Sequence, residues 1–138
     1  MTPRARLAVG VALLGVPGIA AAQACGDTLG KGVARGESKS HVVAWRADPA
    51  PIAVSRHFAL DIVVCPKSGT TPPQLLTVDA TMPAHRHGMN YRPTITAKGA
   101  GRFRAEGLMF HMPGAWELTF DVGGDAGAER VRAPYELK

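Results

Sequence analysis

Side chains that alternate between apolar and polar along most of the chain leave few folds open. Trp116, Leu118, Phe120 and Val122 alternate with Glu117, Thr119 and Asp121, and Phe58, Leu60, Ile62 and Val64 alternate with Ala59, Asp61, Val63 and Cys65. A period of two puts one apolar face on a strand and one polar face toward water. Shorter runs rich in β-formers lie at residues 41–45, 75–80, 91–97, 102–106 and 130–137, the last interrupted by Pro134 in a way that suits a sheet edge. Turn signals separate them: Asp48-Pro49-Ala50-Pro51, residues 66–73, Lys98-Gly99-Ala100-Gly101, Pro113-Gly114 and residues 123–127. The long run is read as a strand over residues 52–65, and residues 107–112 as extended chain leading to the Pro113-Gly114 turn. No helical periodicity competes with this pattern. About seven short strands punctuated by turns predict an all-β domain, a single immunoglobulin-like β-sandwich.

The N-terminus points to export. Arg4 and Arg6 precede an uncharged apolar stretch over residues 7–20, and Ala20-Ala21-Ala22 supplies a small-residue cleavage site before Gln23. The stretch is short for a bilayer span and is broken by Gly10, Gly15, Pro17 and Gly18, so residues 1–22 are read as a signal peptide rather than an anchor. Cleavage before Cys25, with a lipid attached there, is the minor alternative, since Ala22 stands where a lipobox carries Leu. Removing 22 residues from the 138-residue chain leaves 116, enough for one core. Residues 23–40, polar and rich in Gly and Lys, are read as an extended lead-in and residues 41–138 as the domain. The signal carries two of the 16 basic residues, so the mature chain balances 14 against 11 acidic ones. These charges are scattered, with no basic stripe interleaved with aromatics, so no nucleic-acid partner is expected. Cys25 and Cys65 are the only cysteines, and in an oxidising compartment they are expected to form one disulfide. The expected location is therefore periplasmic or secreted, with no stable membrane span after signal cleavage.

Candidate chemistry concentrates in Met82-Pro83-Ala84-His85-Arg86-His87-Gly88-Met89-Asn90 and in Met109-Phe110-His111-Met112-Pro113-Gly114. These segments hold four of the five methionines and three of the five histidines. Thioether sulfur is a soft, neutral donor and imidazole a borderline one; together they suit copper, Cu(I) above all. Zinc prefers more His, Cys or carboxylate, and nearby Asp79 reads as a strand end. The competing reading is architectural: Met109 and Phe110 as core, Met82 packed under its loop, and the histidines hydrogen-bonded within turns. His41 and His57 read as structural or surface residues. No Ser-His-Asp signal, phosphate loop or carboxylate pair is present, and Glu106 and Asp121 stand alone in strand contexts, so no enzyme is expected.

The pattern Met82-Pro83-x-His85-x-His87-Gly88-Met89, followed by Gly107-x-x-Phe110-x-Met112-Pro113-Gly114-x-Trp116-x-Leu118, resembles the YtkA-like group of exported domains, related to the FixH-like proteins, over roughly residues 40–122. The resemblance implies an immunoglobulin-like sandwich and, for some members, copper handling or assembly of respiratory oxidases. It places the metal ligands on Met82, His85, His87, Met89, His111 and Met112. FixH-like proteins usually keep a membrane anchor, whereas this chain is expected to lose its only apolar segment. The expected function is copper binding or delivery, with a copper-accepting or copper-donating envelope protein as partner. The alternative is a metal-free structural or interaction module of the cell envelope.

Overall fold

The computed structural model describes residues 24–68, 72–123 and 127–138, and the expected signal, residues 1–22, lies outside them. Nine strands form among the described residues: β1 Ala34–Glu37, β2 His41–Asp48, β3 His57–Pro66, β4 Leu75–Met82, β5 His87–Gly88, β6 Thr94–Gly99, β7 Arg102–Met109, β8 Gly114–Gly123 and β9 Glu129–Leu137. They make two antiparallel sheets, ordered β1-β2-β3-β7-β6 and β5-β4-β8-β9. The sheets face one another as a sandwich. Val43, Leu60, Ile62 and Phe103 from one meet Val78, Leu118, Phe120 and Val131 from the other in one continuous core. Trp45 packs on Phe120 across the gap with ring centroids 4.7 Å apart. No helix among the described residues is long and apolar enough to cross a membrane.

Two strands exceed the seven expected, and both are short. The supposed lead-in carries a 3-10 turn, Asp27–Leu29, and the edge strand β1. The bond between Cys25 and Cys65 holds this segment in place. Cys25 and Leu29 cluster with Val42 and Ala44, separately from the main core. Successive side chains of a strand face opposite ways, so β2 is covered on both faces, which explains the unbroken burial of Val42, Val43, Ala44 and Trp45. A Cys25 sulfur engaged in this bond is not free to carry a lipid. The second extra strand, β5, pairs Met82 with His87 and Thr81 with Gly88.

Other boundaries move for local reasons. Residues 52–56, read as the start of the long strand, are irregular, because Ser55 adopts a φ of 57° and turns the chain before β3. The strand expected from Tyr91 begins at Thr94, just past Pro93. Pro134 does lie on an edge strand, opposite Glu117. Glu106 and Asp121 are engaged in ion pairs with Arg104 and Arg130.

A polar clip joins the two sheets. The Ser38 hydroxyl, the Ser40 amide at 3.0 Å and His41 Nδ1 at 3.3 Å all converge on one carboxylate oxygen of Glu129. The Ser38 hydrogen bond, followed by those from Ser40, pulls the Glu129 carboxyl down to about 2 from 4.5. A carboxyl depressed on folding stabilises the native state above its unfolded value and loses that contribution as pH falls through the folded value. Acid titration of unfolding is therefore expected to show a loss of stability between pH 4.5 and 2 that is smaller in Glu129→Gln. The disulfide spans 40 positions, and closing such a loop is worth about 4 kcal/mol through unfolded-state entropy. The Cys25→Ser/Cys65→Ser protein should lose stability of that order in urea titrations.

Candidate metal centre

Strand pairing brings the two Met/His segments together. β4 runs antiparallel to β8, with Leu75 opposite Gly123 and Thr81 opposite Glu117. The end of β4 therefore lies beside the start of β8. The Met82–Met89 loop leaves the first, and His111-Met112-Pro113 enters the second, at the same end of the sandwich.

Each loop is built for its place. After Met82 the chain makes one 3-10 turn, Pro83–His85, with proline supplying the helical φ at its start. Arg86 then takes a left-handed conformation, φ 55°, which reverses the chain into β5. The Met89 amide returns to the Ala80 carbonyl at 3.2 Å. On the other side, the Trp116 indole N–H donates to the Met112 carbonyl at 3.0 Å and closes the turn through Pro113-Gly114. The Ser55 amide donates to the Phe110 carbonyl at 2.8 Å and its hydroxyl to the His111 carbonyl at 3.4 Å, which fixes the approach to that turn.

The floor of the site is aromatic. Trp116 is buried and stacks on Phe110 at 4.5 Å with planes 14° apart, and Phe110 meets Phe58 edge-on at 4.9 Å. Two imidazoles stand on this floor. The His87 and His111 rings lie 5.0 Å apart, and both meet Trp116 near perpendicular, at 5.9 and 5.4 Å. His85, exposed, extends the row with its ring 5.7 Å from His87.

The hydrogen bonding of these rings is uneven. His87 Nδ1 lies 3.3 Å from the Gly88 carbonyl. A carbonyl only accepts, so this contact is a hydrogen bond in the Nδ1–H tautomer, the one that leaves the Nε2 lone pair for another partner. Ligating imidazoles in metal sites are held by such a carbonyl bond. His111 Nδ1 is buried without any partner, the one side-chain nitrogen or oxygen so placed among the described residues. A buried polar atom left unpaired costs about 1–3 kcal/mol.

The methionines divide. Met82 is 1% exposed and belongs to the core, opposite His87 across the β4–β5 pair. Met89 and Met112 are half-buried, packed against the core from the two loops that carry His87 and His111. Asp79 lies mid-strand, not at a strand end; its carboxylate accepts the Ala80 amide at 2.8 Å. Among the described residues no three His, Cys, Asp or Glu side chains converge to hold an ion. An ion here must draw on thioethers, since both cysteines are consumed in the disulfide. Cu(I), with its preference for soft donors, fits that set, and zinc does not.

Trp116 and Phe110 as the floor and Ser55 as the brace have no signature in the sequence. Trp116 and Phe110 were legible only as core, and Ser55 acts through long-range backbone bonds that carry no local signal. Compared with known proteins, the chain matches no family model, no curated protein and no solved structure.

Gly114 links floor and loops. Its φ is 122°, and a Cβ there would stand 3.0 Å from the Met82 methyl carbon. Gly114→Ala is expected to lower stability by about 1–3 kcal/mol from backbone strain, read from the urea midpoint. Because the turn holding His111 is displaced, its ring resonances should shift as well.

Proposed function

We propose that this chain is an extracytoplasmic copper-binding or copper-delivery protein that holds Cu(I) between His87 and His111, with Met89 and Met112 as thioether donors and His85 at the open rim. The observation that carries the reading is the pair of rings 5.0 Å apart, one with Nε2 left free and the other with a buried, unpartnered Nδ1. Neutral donors favour a monovalent ion, because no carboxylate is present among them to offset a second charge. The likeness of these two segments to YtkA-like domains belongs to the same reading. So does export: the N-terminal signal pattern and the Cys25–Cys65 bond both suit an oxidising compartment. Half-exposed donors on loops suit passing an ion to an envelope partner, since an incoming donor can reach the metal before the last protein ligand leaves.

One observation favours the metal-free alternative. Met82 is a core residue, so one expected ligand of the Met82–Met89 loop serves the architecture. On that reading the histidines are turn residues and the loop is a rigid module for another protein.

A competition titration against a chromophoric Cu(I) chelator separates the two. The wild-type protein should bind tighter than micromolar. His87→Ala/His111→Ala should weaken binding by about 100-fold or more, each ligand being worth about tenfold, or ~1.4 kcal/mol. Met89→Leu/Met112→Leu, which keeps side-chain volume, should weaken it while leaving unfolding unchanged. Affinity no better than micromolar, or equal in the histidine variant, ends the copper reading.

A further inference from the structure

Outside the proposed centre, and with Met82 in the core, one methionine and two histidines remain among the described residues: Met109, His41 and His57. His41 is engaged by Glu129 at 3.3 Å. The other two are brought together by strand register. β3 pairs with β7 so that His57 stands directly opposite Met109. The adjoining pair, Phe58 opposite Leu108, is buried in the core. Because side chains alternate along a strand, His57 and Met109 share the opposite, outward face, and cross-strand neighbours of this kind have Cβ atoms about 4.5–5.5 Å apart.

Their surroundings suit a ligand better than a packing role. His57 is exposed and Met109 half-buried, and both line a groove of about 540 Å³ with Ser55, Arg56 and Phe58. The Tyr91 ring meets His57 nearly edge-on at 5.0 Å and limits where the imidazole can turn. Among the described residues neither His57 nitrogen meets a hydrogen-bond partner. Arg56 is the one formal charge on the groove wall. A cationic neighbour penalises a divalent ion twice as heavily as a monovalent one, and one imidazole with one thioether is a soft, neutral, low-coordinate donor set.

We propose that His57 and Met109 form a second site, open to solvent, for a soft monovalent metal ion, Cu(I) or its analogue Ag(I). It extends the copper reading to a separate donor pair. Its position suggests its use. Met109 is two residues from His111, and Ser55, on the groove wall, bonds the carbonyls of Phe110 and His111. The pair serves as a port where an arriving ion is first held or a leaving one last held. The ion keeps its charge throughout and only exchanges donors.

The test is a titration of the protein, labelled at methionine methyl carbons, with Ag(I), which does not change oxidation state. Two ions should bind, and the Met109 methyl resonance should shift along with those of Met89 and Met112. In His57→Ala the Met109 shift should vanish and the stoichiometry fall to one, with Met89 and Met112 still responding. In His87→Ala/His111→Ala the Met109 shift should persist. Unchanged far-ultraviolet circular dichroism and an unchanged urea midpoint report that each variant is folded. A Met109 resonance that stays fixed while Met89 and Met112 move overturns the second site and leaves the first. A Met109 shift that survives in His57→Ala overturns the pairing. If no methionine responds, both readings fall.

Discussion

The antiparallel pairing of β4 with β8 is the constraint on which the rest of this molecule depends. It is a core pairing first, with Val78 opposite Phe120 and Ala80 opposite Leu118, all buried. Slipping this register by one residue would turn the apolar face of each strand to water, so the hydrophobic effect holds it firmly. The end of β4 is thereby fixed against the start of β8, and two loops 20 or more residues apart in sequence are held at one end of the sandwich. The β3–β7 pairing does the same on the other sheet, setting the start of β3 beside the end of β7. Loops placed by a rigid scaffold are where binding residues concentrate. Here the scaffold delivers nearly all of the chain's imidazoles and thioethers to a single end.

The polar chemistry of that end differs from the polar chemistry elsewhere. Away from it, several carboxylates are paired: Asp61 sits between Arg46 and Arg104, Asp121 accepts from Nε and Nη2 of Arg130, and one oxygen of Glu129 is met by two serines and His41. No polar or charged residue is wholly buried among the described residues. Against that background a partnerless buried Nδ1 on His111 stands out. On the proposed reading a metal ion completes that nitrogen. The His111 ring lies edge-on to Trp116, which is itself stacked on Phe110.

Much of this architecture was written in the alternation of side chains, and the parts that were not share a cause. The runs at Phe58–Val64 and Trp116–Val122 became central strands because their period of two matched burial on one face. β1 and β5 escaped because four and two residues are too few to show a period, and both are defined by partners distant in sequence. Burial of β2 on both faces was invisible for the same reason, since the segment that covers it is tethered by Cys25. Clustering of Met and His was plain in the sequence. Which of those side chains face one another was not: Met82 went to the core, His87 and His111 met over Trp116, and His57 found Met109 only through register.

On the proposed reading, a disulfide-bonded protein that is to hold a soft metal has a chemical problem to solve. Thiolate is the strongest soft donor available, and in an oxidising compartment it is lost to disulfide formation, as both cysteines here are. Thioether keeps the softness without the redox liability of a thiol, and it needs no deprotonation, so its binding does not compete with protons. Imidazole adds affinity and, when one ring nitrogen is bonded to a carbonyl as in His87, a defined direction. Such donors are individually weak, which suits delivery: an ion held by two or three of them is retained against dilution yet yields to a better partner. On the proposed reading the half-exposed setting of Met89 and Met112 gives that partner access. On the proposed reading, burying the same donors more deeply would tighten binding and slow release, and the aromatic floor would set the depth at which an ion is exchanged.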